Sequence, residues 1–306
     1  MSKKIFNSTF LMVFVIHFAC LGIVFAKNYE TIAYGKINFS AEKPLELEES
    51  DKKFRQFDVS ESDKAKKVPV LMYHRIIAEE RLQTVHYNEQ GELYGTIVTK
   101  EQFREQMEYL HKNGYTTLTL DEFKAYMNER IDVPEKSVLI TFDDGFKDNY
   151  INAYPVLKEY DMKATLFVIT GRIDRDSREY DPLDAQFLTP EEIESSTDVF
   201  DYASHTHKFH ERDGNGDAFL VSKTKEEIYD DIETSIDIVR TNTAFAYPFG
   251  AYDDETLEVL EELDVELAFT IKDGMAKPGG SLLEIPRRGI YPGTTMDIFE
   301  LLITYE

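Results

Sequence analysis

The run Ser137-Val138-Leu139-Ile140-Thr141-Phe142-Asp143-Asp144-Gly145 decides how this chain is read. Its first part is a short apolar, β-branched stretch that reads as a buried strand. Two adjacent carboxylates then end it. Side chains alternate along a strand, so Asp143 and Asp144 cannot both face one core. At the strand's C-terminal end, where the chain turns at Gly145, both can point into an open mouth, one as a metal ligand and one as a base.

A second strand-like run, Val199-Phe200-Asp201-Tyr202-Ala203, leads into Ser204-His205-Thr206-His207-Lys208-Phe209-His210. An aspartate with two neutral imidazoles makes a facial set of three protein ligands that leaves positions open for water and substrate, as a hydrolytic metal site requires. Short apolar runs recur at 68–73, 115–120, 137–142, 163–169, 199–204, 243–247, 266–271 and 284–290, with helical patterns between most of them. Thr99 and Gln102 form a capping box ahead of Phe103, Met107 and Leu110, and Gly114 closes that helix. Thr189, Pro190 and Glu192 repeat the signature with proline at the first helical position, and Ile228, Ile232, Ile236 and Val239 keep helical spacing over 223–240. The alternation points to an α/β fold, a parallel β/α barrel with its chemistry at the C-terminal strand ends.

The formal charge of −24 on 306 residues excludes nucleic acid and anionic membrane surfaces as partners. A neutral or cationic polymer suits it. Lys3 and Lys4 precede an apolar stretch from Phe10 to Ala26, which reads as an export signal cleaved before Lys27 or retained as a membrane anchor. The lone Cys20 falls inside it, so the mature chain has neither a disulfide nor a thiolate metal ligand. Residues 27–67 are charge-rich and read as a polar linker, leaving 68–306 as the catalytic domain. Asp213-Gly214-Asn215-Gly216-Asp217 has the look of a calcium loop, but Ala218 stands where glycine is required and Thr224 where the bidentate acid belongs.

The TFDDG and SHTHKFH segments, with Ala246-Tyr247-Pro248-Phe249-Gly250 downstream, resemble the first three motifs of the polysaccharide deacetylases, the NodB-homology carbohydrate esterases of family four. The resemblance spans roughly residues 68 to 306. Within the family the chain is most similar to the branch acting on poly-β-1,6-N-acetylglucosamine. Val68-Pro69-Val70-Leu71-Met72-Tyr73-His74 precedes the first motif, and His205 and His210 stand five apart where most of the family has four.

The resemblance implies an irregular (β/α)7-type barrel in which Asp144, His205 and His210 bind one divalent metal, Asp143 is the base and the Phe249 backbone N–H helps hold the oxyanion. Zinc suits these donors, and cobalt or nickel fit them too. The family's general acid, a late histidine in Leu-x-Ile-x-His, is absent from Leu283-Glu284-Ile285-Pro286-Arg287-Arg288. Ala246 and Tyr247 stand where an arginine usually precedes the motif-three proline, and the chain has no tryptophan for the fourth motif. Of the seven histidines, His74 ends an apolar strand and is the choice for general acid or oxyanion partner. His111 reads as structural, His86 lies in a polar loop with only a weak claim, and His207 reads as a supporting or solvent residue, while Arg287 and Arg288 are the remaining source of charge near the base. Tyr73, Tyr247 and Phe249 are candidate platforms for sugar rings.

The expected protein is thus a secreted or surface-anchored monomer that deacetylates an extracellular β-linked N-acetylglucosamine polymer, foremost the β-1,6-linked one of biofilm matrix. Peptidoglycan or chitin oligomers are the alternative substrates. A carbohydrate-binding protein without catalysis is the alternative class.

Overall fold

Every strand-to-strand ladder in the structure, a computed structural model that describes residues 44–47 and 54–304, runs parallel. The strands are β1 (Val70–Tyr73), β2 (Arg75–Ile77), β3 (Ile97–Thr99), β4 (Thr116–Thr117), β5 (Ser137–Phe142), β6 (Ala164–Val168), β7 (Phe200–Ser204), β8 (Ala244–Ala246), β9 (Leu267–Phe269) and β10 (Arg288–Gly289). The main sheet has the order β10-β1-β5-β6-β7-β8-β9, with β4 pairing the start of β5. Its two ends meet, because the segment leading into β10 also bonds beyond β9: Thr270 N–H to Ile285 O and Arg287 N–H to Lys272 O, both 2.9 Å. The result is the irregular barrel of α/β class that the sequence suggests. Pro286 has no N–H to give, so the run expected over 284–290 keeps regular pairing only at Arg288 and Gly289.

The two-residue alternation sorts the strand side chains. Val70, Leu139, Phe167, Ala203, Ala246, Phe269 and Ile285 fill the barrel interior. Leu71, Tyr73, Ile140, Phe142 and Leu166 point outward to the helices. The interior register, continued past the apolar residues, reaches Asp143, His205 and Arg287 at the C-terminal rim.

Helices α1 (Lys100–Lys112), α2 (Leu120–Met127), α3 (Tyr154–Glu159), α4 (Pro190–Glu194), α5 (Phe219–Ser222), α6 (Lys225–Val239), α7 (Asp254–Glu262) and α8 (Met296–Thr304) cover the sheet. On α1, Phe103, Met107 and Leu110 are fully buried, each contributing about 2 kcal/mol. Thr99 caps α1 by accepting the Gln102 N–H, but the box expected there is only half made. The Gln102 amide instead donates to Tyr291 O and Thr294 O. Thr189 with Glu192 makes the full box at α4, and Thr224 with Glu227 makes another at α6.

The β2–β3 pair has no counterpart among the expected elements, since two three-residue strands carry too little pattern to stand out. The signal or anchor segment over 1–26, with Cys20, and residues 27–43 and 48–53 of the linker lie outside the described residues. The described linker residues lie along the barrel: Leu45 is buried and its N–H bonds Ile238 O, Arg55 grips buried Glu122, and Ala65 bonds Val133 O. No helix among the described residues is long and apolar enough to cross a membrane.

Candidate active site

The carboxylate pair sits where β5 ends. Asp143 keeps the interior register, its N–H bonded to Tyr73 O at 3.0 Å. Asp144 then takes a left-handed conformation, φ 75°, and Gly145 follows at φ 79°. The reversal is what turns neighbouring carboxylates toward one mouth, and aspartate tolerates it better than most residues. Space at Gly145 is tight as well, since a Cβ there would press on Val168 Cγ1 at 3.1 Å.

His205 ends β7, and its Nδ1 lies 2.7 Å from Ala246 O. A carbonyl only accepts, so Nδ1 carries the proton and Nε2 presents its lone pair to the mouth. The following loop turns at Thr206, φ 71°, and is pinned by Asp231 of α6, whose carboxylate accepts the N–H groups of His207 (2.9 Å) and Lys208 (2.6 Å). Burial pushes the Asp231 pKa up to about 6 despite those bonds. This loop delivers His210, whose ring centroid stands 4.9 Å from that of His205.

Asp144 Oδ1 lies 3.1 Å from His210 Nε2 and 3.5 Å from His205 Nε2. Two donors each about 2.1 Å from one zinc-sized ion at a tetrahedral angle stand roughly 3.4 Å apart. The three ligand atoms lie within 4.8 Å of one another, and Asp144 Oδ1 is buried with no hydrogen-bond partner among the described residues. A buried carboxylate oxygen without a hydrogen-bond partner, close to two imidazole nitrogens, is costly unless a cation joins them, so the donor set fits a divalent metal.

Asp143 is braced from the segment leading into β10, which lies beyond β1 from β5. Arg287, 1% exposed, reaches its two oxygens at 2.7 and 2.8 Å and donates through Nε to Thr270 O at 2.8 Å. Burial alone would raise the Asp143 pKa, but the Arg287 charge outweighs it and leaves the carboxyl lowered. His74 Nε2 approaches Asp143 Oδ2 at 4.0 Å with its side chain 22% exposed. Asn149 donates to the His74 carbonyl at 2.7 Å, while Asp148 takes Arg75 Nε (2.8 Å) and the Ile76 N–H (3.0 Å), so the turn after the carboxylate pair fixes the chain after β1. Neither Asp148 nor Asn149 carries a signal in the sequence beyond its closeness to Asp143.

Phe249 stands in a tight turn after Pro248 with φ 59°. Its ring is 37% exposed, 4.5 Å from the His210 ring and 4.2 Å from the Arg212 guanidinium carbon. The two tyrosines read as sugar platforms are corrected by their burial. Tyr73 is fully enclosed against Phe103 and Phe142 with its hydroxyl on Gln106, and Tyr247 stacks on Tyr252 with its hydroxyl on Leu283 O. Neither can reach a sugar. Arg288 turns away to Asp273.

The other histidines stand apart from the carboxylate pair. His86 is buried, taking the Gln83 N–H and bonding Pro182 O; His111 packs on Tyr160. His207 bonds Thr170 Oγ1 at 3.0 Å, and burial pushes its pKa down to about 4. Asp213 is spent on the N–H groups of Asn215 and Asp217.

The polysaccharide deacetylase family model matches residues 130–268, which takes in Asp143, Asp144, His205, His210 and Phe249 but neither His74 nor Arg287. YxkH of Bacillus subtilis (strain 168), assigned by its name to the polysaccharide deacetylases, is 30% identical over 303 residues, 97% of each chain. A poly-β-1,6-N-acetyl-D-glucosamine N-deacetylase of Staphylococcus aureus (strain MSSA476) is 29% identical over 76% of this chain and 80% of its own. The solved structure of the Streptococcus pyogenes deacetylase PplD, in complex with acetate, matches with a TM-score of 0.66 at 28% identity, covering 78% of this chain and 99% of that one.

Proposed function

This chain belongs to the polysaccharide deacetylase family, and from that premise we propose that it is an exported, metal-dependent N-deacetylase acting on a β-linked N-acetylglucosamine polymer, foremost the β-1,6-linked polymer of biofilm matrix. The observation that carries the reading is the convergence of Asp144, His205 and His210 beside a carboxylate, Asp143, that stays ionised because Arg287 holds it. A divalent cation bound by those three side chains supplies an acidified water and a polarised acetyl carbonyl. Asp143 accepts the proton of the attacking water, and the paired guanidinium keeps both oxygens oriented while that proton arrives. His74, 4.0 Å from Asp143 and partly open to solvent, donates to the departing sugar nitrogen. The Phe249 turn offers its backbone N–H to the developing oxyanion.

The S. aureus relative, which covers most of this chain, supports the β-1,6 linkage. Lys3, Lys4 and the apolar run that follows support export, and zinc is the metal these donors favour.

The test is free-amine release from β-1,6- and β-1,4-linked N-acetylglucosamine oligomers, before and after chelation and with zinc restored. Metal-dependent release from the β-1,6 oligomer is expected. Release confined to the β-1,4 oligomer would move the substrate to chitin or cell wall, and metal-independent release would remove the assigned metal site.

A further inference from the structure

Tyr291 lies two residues beyond Gly289, the β10 residue that pairs with Met72 of β1, and the Ile290 N–H bonds Met72 O at 3.0 Å. His74 lies two residues beyond Met72 on the neighbouring strand. Parallel register therefore brings Tyr291 and His74 to the same level of the barrel rim. Direction follows from the same alternation, since Ile285 and Arg287 face the interior and Gly289 and Tyr291 continue their face.

Gly289 leaves room on that face, and the tyrosine takes it. A Cβ at Gly289 would meet Tyr291 Oη at 2.3 Å and Cζ at 2.5 Å, so the ring folds back over Gly289 at the strand end. It remains 52% exposed. Its backbone is clamped: the carbonyl takes Gln102 Nε2 at 3.1 Å, and its N–H donates to Thr294 Oγ1 at 3.0 Å. This explains why the Gln102 side chain does not turn back to the Thr99 N–H to complete the box. An exposed aromatic on a fixed backbone loses little freedom when a ligand covers it, and a pyranose offers an apolar face of matching size. Among the described residues the large exposed aromatics are Phe54, Tyr94, Phe249 and Tyr291, and of these Phe249 and Tyr291 alone follow the C-terminal ends of barrel strands.

We propose that Tyr291 is a substrate-binding residue whose ring stacks on the sugar next to the one being deacetylated, on the His74 side, so that the enzyme favours a chain over a single sugar. This rests on the polysaccharide deacetylase reading of the neighbouring site.

The test is calorimetric binding of N-acetylglucosamine and of its β-1,6-linked tetramer to the full-length protein and to Tyr291→Ala, Tyr291→Phe and Gly289→Ala, with amine release measured in parallel. Tyr291→Ala should weaken the tetramer about tenfold, the loss expected for one stacked ring, and leave the monosaccharide unchanged. Tyr291→Phe should bind as the unaltered protein does, and Gly289→Ala, which displaces the ring, should lose as much as Tyr291→Ala. Unaltered tetramer binding in both alanine variants, an equal loss in Tyr291→Phe, or no tetramer binding by the unaltered protein would overturn the proposal. Weakened binding without any amine release would uphold the platform while sinking the deacetylase assignment, and release with unaffected variants would do the reverse.

Discussion

The Arg287 guanidinium holds both oxygens of Asp143, at 2.7 and 2.8 Å, from the strand that closes the barrel. The sequence resemblance leads one to look for such an arginine two strands away, ahead of Pro248, where Ala246 and Tyr247 stand instead. The charge has arrived by another route. It comes from the late segment in which the family resemblance implies a histidine, so the residue standing in that histidine's place supplies the charge that is missing ahead of Pro248.

Arg287→Met should cost about 3 kcal/mol of stability, because it strands a buried carboxylate rather than removing a pair. Burial would then act on Asp143 unopposed by its main counterweight, and its pKa would rise. The acid limb of kcat/KM should move to higher pH, with Arg287→Lys intermediate. A pH–rate profile and a urea titration check both parts. An unmoved acid limb would separate Asp143 from base catalysis.

Metal should stabilise the unaltered protein and leave Asp144→Asn nearly untouched. With free zinc a thousandfold above its Kd, linkage predicts about 4 kcal/mol. Asparagine tolerates the left-handed backbone at 144 but cannot offer the anionic oxygen that faces His205 and His210. Thermal unfolding with and without chelator reads this directly, and equal chelator sensitivity in the two proteins would move the metal elsewhere.

Asp231 predicts a pH slope of its own. Its folded pKa of about 6 lies above the ordinary value of 3.8, so between those pH values the native state binds a proton that the unfolded chain has lost. Stability therefore falls as pH rises through this window, by on the order of 3 kcal/mol in total. Asp231→Asn should flatten that slope in metal-free protein while loosening the His207–Lys208 backbone. Denaturant titrations from pH 4 to 7 measure the difference between the two slopes.

The metal-ligand and base candidates were legible because acids and imidazoles stand at the ends of apolar runs, and the strand ends in the structure fall within a residue or two of those runs. Arg287 could not be separated from Arg288, since the choice depends on which face closes against β1. Tyr73 and Tyr247 were within reach of the same alternation that places Asp143. Each adjoins an inward-facing residue, His74 or Ala246, and so points out to the helices. Tyr291 carried no local cue, because its role comes from the space left at Gly289 and a clamp from Gln102, 189 residues away.

His74 bears the part of the mechanism that the missing late histidine leaves open. Its imidazole lies 4.0 Å from Asp143, a gap that proton transfer crosses through one water, and Asn149 fixes its backbone. His74→Ala should lower kcat on the order of a hundredfold, the usual contribution of one positioned acid, with KM little changed. Metal content should stay at the unaltered level, because the ligand set lies on β5, β7 and the loop after β7. An activated acetyl ester should lose less than the amide, since an alkoxide or phenolate leaves with less need of a proton than an amine does. Equal losses on ester and amide would assign His74 to the oxyanion instead, and loss of metal would make its role structural.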